Sequence, residues 1–391
     1  MSKKMKKKII ILLLGFVFSL NACAFKIDEN GSLDSISTSV ENTVETENPS
    51  ILTNNGNDGE EYLIPELPKY YTNSWISQRI DQVNINTDIV NGISFAFITD
   101  VHLQANQGNS KYLMKYILDK TNVPFCIFGG DVIGAFGSKE TLLSEVDNWC
   151  EWVEYVGKVY QIRGNHDYTI KTSSEENTGY TESETFTYDH IMNNNESDIT
   201  GTSDMYYMLD DDIHKIRFIF INGYQNITSG EVPFGVQPLI DQNQHNWIIE
   251  RIKEVENYHF IIITHSCPNG NIAGGGAGAG LPAIASAINN KSIAKYDNEN
   301  IDVHIDEDFT NTTNDIICFI SGHNHRDDSD IKDGVLYITT TCDATYNNDP
   351  LVIRTSGTVS EQAFDVFTID IENRIIKTVR FGGGSNRTWK Y

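Results

Sequence analysis

Nine side chains suited to metal binding or proton transfer fall in five short segments. These are Asp100-Val101-His102, Gly129-Gly130-Asp131, Gly164-Asn165-His166-Asp167, Thr264-His265 and Gly322-His323-Asn324-His325. Carboxylates, imidazoles and a carboxamide in this mixture are a donor set for two divalent cations. Such a pair, about 3.5–4 Å apart, supplies what hydrolysis of a phosphate ester requires: an activated water, charge neutralisation at phosphorus and help for the leaving alkoxide. Asp100 and His102, two apart, can point the same way and share one ion. Asp131 follows two glycines, whose missing side chains allow the backbone to approach a metal closely. Asn165 offers a neutral carbonyl oxygen, which keeps the second position from becoming over-anionic, and His265 adds a nitrogen to it. His323 and His325 flank Asn324, so one turn, permitted by Gly322, can deliver a ligand to each ion.

Each segment follows a short apolar run, at the point where a strand would hand over to a loop. The runs Phe95–Ile98, Phe125–Phe128, Val159–Ile162, Ile216–Ile221, Phe260–Ile263 and Ile316–Ile320 are rich in Ile, Phe and Val. That composition predicts strands buried on both faces. Helical spacing between them predicts helices over Lys111–Asp119, Lys139–Val156 and Gln242–Val255, with Trp149 in the core. Alternating strand and helix points to an α/β sheet covered on its faces. Beyond Val335 the pattern changes. Val335–Thr339, Phe364–Asp370 and Ile375–Phe381 read as strands with no helix between them, the last two a hairpin across Glu372-Asn373. Residues 335–391 are therefore expected to complete a second, more antiparallel sheet of a catalytic domain spanning 90–391. Two long polar or glycine-rich insertions, 168–205 and 269–282, interrupt this domain, as functional loops often do. The glycine run at 274–280 lacks the lysine and Ser/Thr of a nucleotide-cradling loop.

The chain has 391 residues, 39% of them hydrophobic, and a formal charge of -25. No basic stripe offsets that charge, so duplex nucleic acid is disfavoured as a partner. A small phosphorylated substrate remains compatible, because bound divalent cations invert the local field. The N-terminus carries Lys3, Lys4, Lys6, Lys7 and Lys8 ahead of an apolar stretch from Ile9 to Leu20. That stretch is too short for a bilayer span of about 20 residues, and predicts an export signal. It ends Leu20-Asn21-Ala22-Cys23, which resembles the bacterial lipoprotein signal. This resemblance implies a signal peptide over 1–22, lipid attachment at Cys23 and an anchored, extracytoplasmic location on the cell envelope. Residues 23–75, rich in Ser, Thr, Asn, Glu and Gly, read as a flexible tether. Cys126, Cys150 and Cys318 read as buried free thiols. Cys267 and Cys342 follow strands that could share an edge, which leaves a bridge between them open.

The five segments together resemble the calcineurin-like metallophosphoesterase superfamily, from Phe97 to His325. The resemblance implies a four-layer fold, two packed mixed β-sheets flanked by α-helices. It also implies two divalent ions, with Mn, Fe or Zn suited alike to mixed O and N ligands. By the same resemblance Asp100, His102, Asp131 and His325 hold the first ion, and Asp131, Asn165, His265 and His323 the second, with Asp131 bridging. His166 would contact the substrate phosphate or protonate the leaving oxygen, and Asp167 would orient its ring. Purple acid phosphatases carry a tyrosine three residues after the bridging aspartate and no histidine at the position of His102. Gly134 and His102 therefore turn the reading away from them and toward branches that include phosphodiesterases.

The expected function is an exported, anchored phosphoesterase with diesters slightly favoured. The alternatives are a phosphomonoesterase of the same fold, or a non-catalytic metal-binding envelope lipoprotein. Pseudoenzymes usually lose a ligand or the proton donor, and none is lost here. His190, His214, His245, His259 and His304 lack a motif and read as ordinary histidines. Asp343 reads as a turn residue, and Arg326 as either a phosphate contact or a partner of Asp327 or Asp328. The stretch Arg380 to Arg387 is weighed as an anion-binding edge.

Overall fold

The computed structural model describes residues 62–88, 91–103, 108–134, 136–167, 169–173, 178–181, 205–225, 230–233, 240–272, 278, 280–345, 349 and 352–391. The export signal, Cys23, His190, most of insertion 168–205 and part of insertion 269–282 lie outside the described residues. No helix among the described residues is long and apolar enough to cross a membrane.

The Ile- and Phe-rich runs become strands of two six-stranded sheets. In the first, β1 (Gly92–Ile98), β2 (Cys126–Phe128) and β3 (Val159–Gln161) are parallel. β15 (Ala363–Asp370), β16 (Ile375–Gly382) and β17 (Thr388–Lys390) extend this sheet antiparallel on the other side of β1. In the second, β7 (Ile216–Phe220), β9 (His259–Ile263), β12 (Asp315–Ser321) and β14 (Val335–Thr339) are parallel. β6 (Tyr207–Asp211) and β13 (Asp328–Lys332) close its edges antiparallel. β4 (Thr169–Ser173), β5 (Thr178–Thr181) and β8 (Gly230–Pro233) form a separate three-stranded sheet, and β10 (Ile293–Asn298) pairs with β11 (Val303–Asp308).

The terminal segment thus departs from expectation. Only β14 of 335–391 joins the second sheet, whereas β15, β16 and β17 belong to the first. The reason is register: Phe95 of β1 pairs with Phe367 of β15, and their rings stack 5.5 Å apart. An all-buried strand such as β15 needs a partner with apolar residues on both faces, and β1 is one.

The sheets pack face to face through Phe95, Phe125 and Phe367 on one side and Phe218, Phe220 and Ile261 on the other. Phe95 and Phe218 meet edge to face at 5.2 Å, a favoured aromatic geometry. Helices cover the outer faces. α1 (Asn73–Asp88), α2 (Ser110–Lys120) and α3 (Lys139–Val156) belong to the core around the first sheet. α4 (Gln242–Lys253) and α5 (Leu281–Asn289) share a second core with Ile219, Phe260 and Ile262. This is the four-layer arrangement, two mixed sheets flanked by helices. α3 starts at a reciprocal cap between Ser138 and Thr141, and α4 at Asp241, whose side chain accepts from Gln244 N; both satisfy first-turn donors.

Two boundaries move. The tether does not extend to residue 75, because Ile64, Leu67 and Tyr71 are buried in the core. α1 begins at Asn73, ahead of the expected domain start, and is hard to see in the sequence because only Ile76, Ile80 and Val83 are its buried apolar residues. The glycine-rich insertion gives way at Leu281 to α5, with Pro282 in its first turn, a position where the missing N–H costs nothing. Cys126, Cys267, Cys318 and Cys342 are buried and Cys150 is half-buried; none is in a disulfide, so Cys267 and Cys342 form no bridge.

Candidate metal centre

All five segments meet where the C-terminal ends of the parallel strands converge. Asp100 and His102 follow β1, Asp131 follows β2, and Asn165, His166 and Asp167 follow β3. His265 follows β9 of the other sheet, and His323 and His325 follow β12. The β1 and β2 loops continue to pair past their strands: Asp100 N donates to Gly130 O at 2.9 Å and His102 N to Asp131 O at 3.1 Å. The two sheets are stitched at the site by His323 N, which donates to Asp100 Oδ2 at 2.9 Å.

Five of the side chains sit on left-handed backbone: Asp100 (φ 52°), His102 (φ 44°), Asp131 (φ 55°), His323 (φ 71°) and His325 (φ 57°). Such conformations cost on the order of 1–3 kcal/mol each and gather at functional sites. Close approach explains two of the glycines. A Cβ on Gly164 would lie 2.2 Å from Asp131 Oδ1, and one on Gly322 would lie 2.4 Å from Asp100 Oδ2.

The donor atoms form two groups. Asp100, His102 and His325 present atoms within 4.8 Å of one another, and so do Asp131, His265 and His323. His325 Nε2 is 3.2 Å from Asp100 Oδ1 and 3.1 Å from His102 Nε2. His265 Nε2 is 3.1 Å from Asp131 Oδ2 and 3.9 Å from Asp100 Oδ1, so the groups adjoin. Ring orientation is set from behind. His102 Nδ1 faces Ile133 O at 3.1 Å and His265 Nδ1 faces Gly129 O at 2.7 Å, which leaves each Nε2 for the centre. Thr99 Oγ1 donates to Asp100 Oδ2 at 2.8 Å, and His166 N donates to Asp131 Oδ1 at 2.8 Å. Each carboxylate thus turns its other oxygen inward.

These residues fit a pair of cations. Among the described residues, His323 Nδ1 is buried without a hydrogen-bond partner, and buried Asp100 Oδ1 and His265 Nε2 face only other donors of the centre, His325 Nε2 at 3.2 Å and Asp131 Oδ2 at 3.1 Å, without a well-formed hydrogen bond, a costly state for polar atoms unless something else engages them. The electrostatics agree. Burial would raise the carboxyls of Asp100 and Asp131, but the imidazoles of His325 and His265 around the first and of His265 and His166 around the second hold both well below the usual range. Burial lowers His102 and His323 to about 4. It would lower His265 and His325 too, but Asp131 and Asp100 push His265 up to about 10, and Asp100 raises His325. Each group thus joins a carboxylate to one imidazole that burial pushes toward its neutral form and one that the carboxylates push toward its protonated form. A divalent ion would replace those protons.

Asn165 is placed beside the second group through Tyr224, whose hydroxyl donates to Asn165 Oδ1 at 3.3 Å while its ring lies 6.1 Å from that of His265. His166 stands at the rim, 16% exposed, with Nε2 3.9 Å from Asp131 Oδ2. Asp167 does not orient the His166 ring as expected. Its carboxylate accepts from the backbone N–H groups of Val132 (2.7 Å) and Ile133 (3.3 Å) at Oδ1, and of Asp131 (3.0 Å) and Gly164 (2.6 Å) at Oδ2. It is buried beneath the loops and holds Asp131 in its strained conformation.

Other expectations resolve simply. Arg380 and Arg387 do not form an anion-binding edge: Arg380 is buried, and both pair with Asp365 and Asp327. Asp327 is thereby taken, and Arg326 beside it is exposed. Asp343 is a buried brace rather than an open turn, accepting from Ser110 Oγ at 2.6 Å and Ala363 N at 3.2 Å. His214, His259 and His304 pair with nearby aspartates, and His245 faces Asp241 O. Tyr224 and Asn222, just past β7, escaped the sequence reading. The signal was there, since Asn222-Gly223-Tyr224 follows an apolar run as the other segments do.

The profile of the calcineurin-like phosphoesterases matches residues 93–327. A search of curated proteins returns no match. Among solved structures, the chain is similar to a dimetal phosphatase from Danio rerio (14% identity, 76% of this chain and 99% of that one, TM-score 0.50). It also aligns with a protein of Staphylococcus aureus described as a candidate 5'-nucleotidase (12%, 76% and 54%, TM-score 0.41) and with an NAD nucleotidase of Haemophilus influenzae (12%, 76% and 49%, TM-score 0.37). The likeness to the zebrafish protein is one of fold, and the chain spans about half the length of the two bacterial proteins.

Proposed function

Because the chain belongs to the calcineurin-like phosphoesterase family, we propose that it is a dinuclear metal-dependent hydrolase of small phosphate esters, with diesters favoured. The observation that carries this reading is the pair of adjoining donor groups, Asp100/His102/His325 and Asp131/His265/His323, each joining a buried carboxylate to two imidazoles. Asn165 completes the second group and Asp131 is the carboxylate assigned to both ions. The mixed O and N donors suit Mn, Fe or Zn. When bound, the ions supply Lewis acidity for a water and for the phosphoryl oxygens.

The chain's own residues do the rest. His102 and His265 are locked by backbone carbonyls so that their donor nitrogens need no reorganisation. His166, on the rim and next to Asp131, is the group placed to meet the substrate phosphate and to give a proton to the leaving oxygen. Asp167 fixes the loop that carries Asp131. The slight preference given to diesters rests on His102, which resembles the first-site histidine of branches that include phosphodiesterases. The reading includes export and a lipid anchor at Cys23, which would hold the domain at the extracytoplasmic face; loss of palmitate labelling in Cys23→Ser tests that part separately.

The enzymatic part is tested with chelated, Mn²⁺-reloaded protein on bis-(p-nitrophenyl) phosphate and on the monoester analogue. The diester should turn over faster. Faster monoester hydrolysis would reverse the preference, and no turnover of either with metal bound would overturn the reading.

A further inference from the structure

An asparagine ligand has a weakness that a carboxylate lacks. Its amide can present either an oxygen or a useless NH2 to a metal, and the two differ by a half-turn about one bond. The surroundings of Asn165 contain a device that removes this ambiguity. Tyr224, fully buried, donates its hydroxyl proton to Asn165 Oδ1. With the phenol O–H donated to that oxygen, the Asn165 amide is held in one orientation and keeps its second lone pair for another partner.

Tyr224 is itself held. Its backbone N–H donates to Asn222 Oδ1 at 3.2 Å, and the same oxygen accepts from Arg163 Nη2 at 3.0 Å. Arg163 lies two residues before Asn165, so one carboxamide oxygen clamps both the β3 loop that carries Asn165 and the β7 loop that carries Tyr224. Gln244, in the first turn of α4, grips Asn222 from both sides, accepting from its N–H at 2.9 Å and donating to its carbonyl at 2.8 Å. Arg163, Asn222 and Gln244 are all buried. A buried polar network of this kind defines one arrangement and penalises the others.

We propose that Tyr224, fixed by Asn222, is a positioning residue that sets the Asn165 carbonyl toward the Asp131/His265/His323 group and so tunes the affinity of the second ion. The proposal rests on the metal-centre reading above. It extends across the two sheets, because Asn165 comes from the first and Tyr224 from the second.

The test uses the full chain, stripped with chelator and titrated calorimetrically with Mn²⁺, as parent, Tyr224→Phe, Asn165→Asp and the double variant. The phenylalanine keeps the ring and removes only the hydroxyl. In Tyr224→Phe one ion should bind as in the parent and the other about tenfold more weakly, in the range for lost outer partners of metal ligands, with the melting temperature of the stripped chain nearly unchanged. Asn165→Asp offers an oxygen in either rotamer, so adding Tyr224→Phe to it should cost nothing further. Parental affinity for both ions in Tyr224→Phe would overturn the proposal, as would an equal loss in both backgrounds, which is the mark of a packing effect. A parent chain that binds no Mn²⁺ at all would instead sink the metal-centre reading itself.

Discussion

Replacing Asp167 by asparagine separates two roles for this residue by a measurable amount. In the structure each carboxylate oxygen accepts from two backbone N–H groups: Oδ1 from Val132 and Ile133, Oδ2 from Asp131 and Gly164. Asparagine has the same shape but one acceptor, so whichever way the amide turns, two buried N–H groups face an NH2. Each unsatisfied buried donor costs about 1–3 kcal/mol, which puts the loss at roughly 2–6 kcal/mol. For a domain of about 300 residues that is a fall of roughly 3–10 °C in Tm, at about 1.6 °C per kcal/mol. The loop bearing Asp131 loosens with it, so metal affinity should fall as well. Differential scanning calorimetry of stripped and Mn²⁺-loaded protein reads both effects. If Asp167 instead oriented the His166 ring, the substitution would shift the pH profile of turnover and leave the Tm of the stripped chain within a degree or two of the parent. That result would assign Asp167 to the His166 ring and not to the loop backbone.

Further expectations concern protons and salt links. Burial would raise the Asp327 carboxyl, but Arg380 and Arg387 outweigh it and hold it at about 2. A group depressed on folding contributes stability above its unfolded value near 3.8 and loses it as pH falls through about 2, here about 2 kcal/mol. The stability gap between parent and Asp327→Asn, measured by urea unfolding, should therefore be full at pH 5 and shrink between pH 4 and 2. His265 must lose its proton to bind metal and is raised to about 10, so Mn²⁺ affinity should climb with pH through 9, with proton release detectable by calorimetry in buffers of different ionisation enthalpy; affinity flat from pH 7 to 9 would contradict this. Chelation should lower Tm and readdition restore it, since each ion at a hundredfold excess over its Kd contributes about 2.7 kcal/mol.

How much of this was legible beforehand differs by level. The donor residues were readable because metal ligation demands particular side chains at strand ends, and a strand end is visible as a break after an Ile- or Phe-rich run. Helices α2, α3 and α4 were readable from apolar spacing, whereas α1 carries too few apolar residues to stand out among Asn, Gln and Asp. Sheet membership was not readable. β14 and β15 look alike as buried apolar strands, and only the pairing of Phe367 with Phe95 sends the second to the other sheet. Asp167 was misassigned for a related reason: its neighbour in sequence is His166, but its hydrogen-bond partners are mainly backbone groups more than thirty residues away. Arg380 and Arg387 likewise looked available because their aspartates lie elsewhere in the chain.

If two ions held in the joined donor groups make this chain a hydrolase, turnover depends on how many of them are bound. The most direct measurement follows turnover of bis-(p-nitrophenyl) phosphate while Mn²⁺ is added stepwise to the stripped full chain with bound ions counted. Hydrolysis should appear as the second equivalent binds. Two bound ions without hydrolysis, or hydrolysis complete after one, would contradict this.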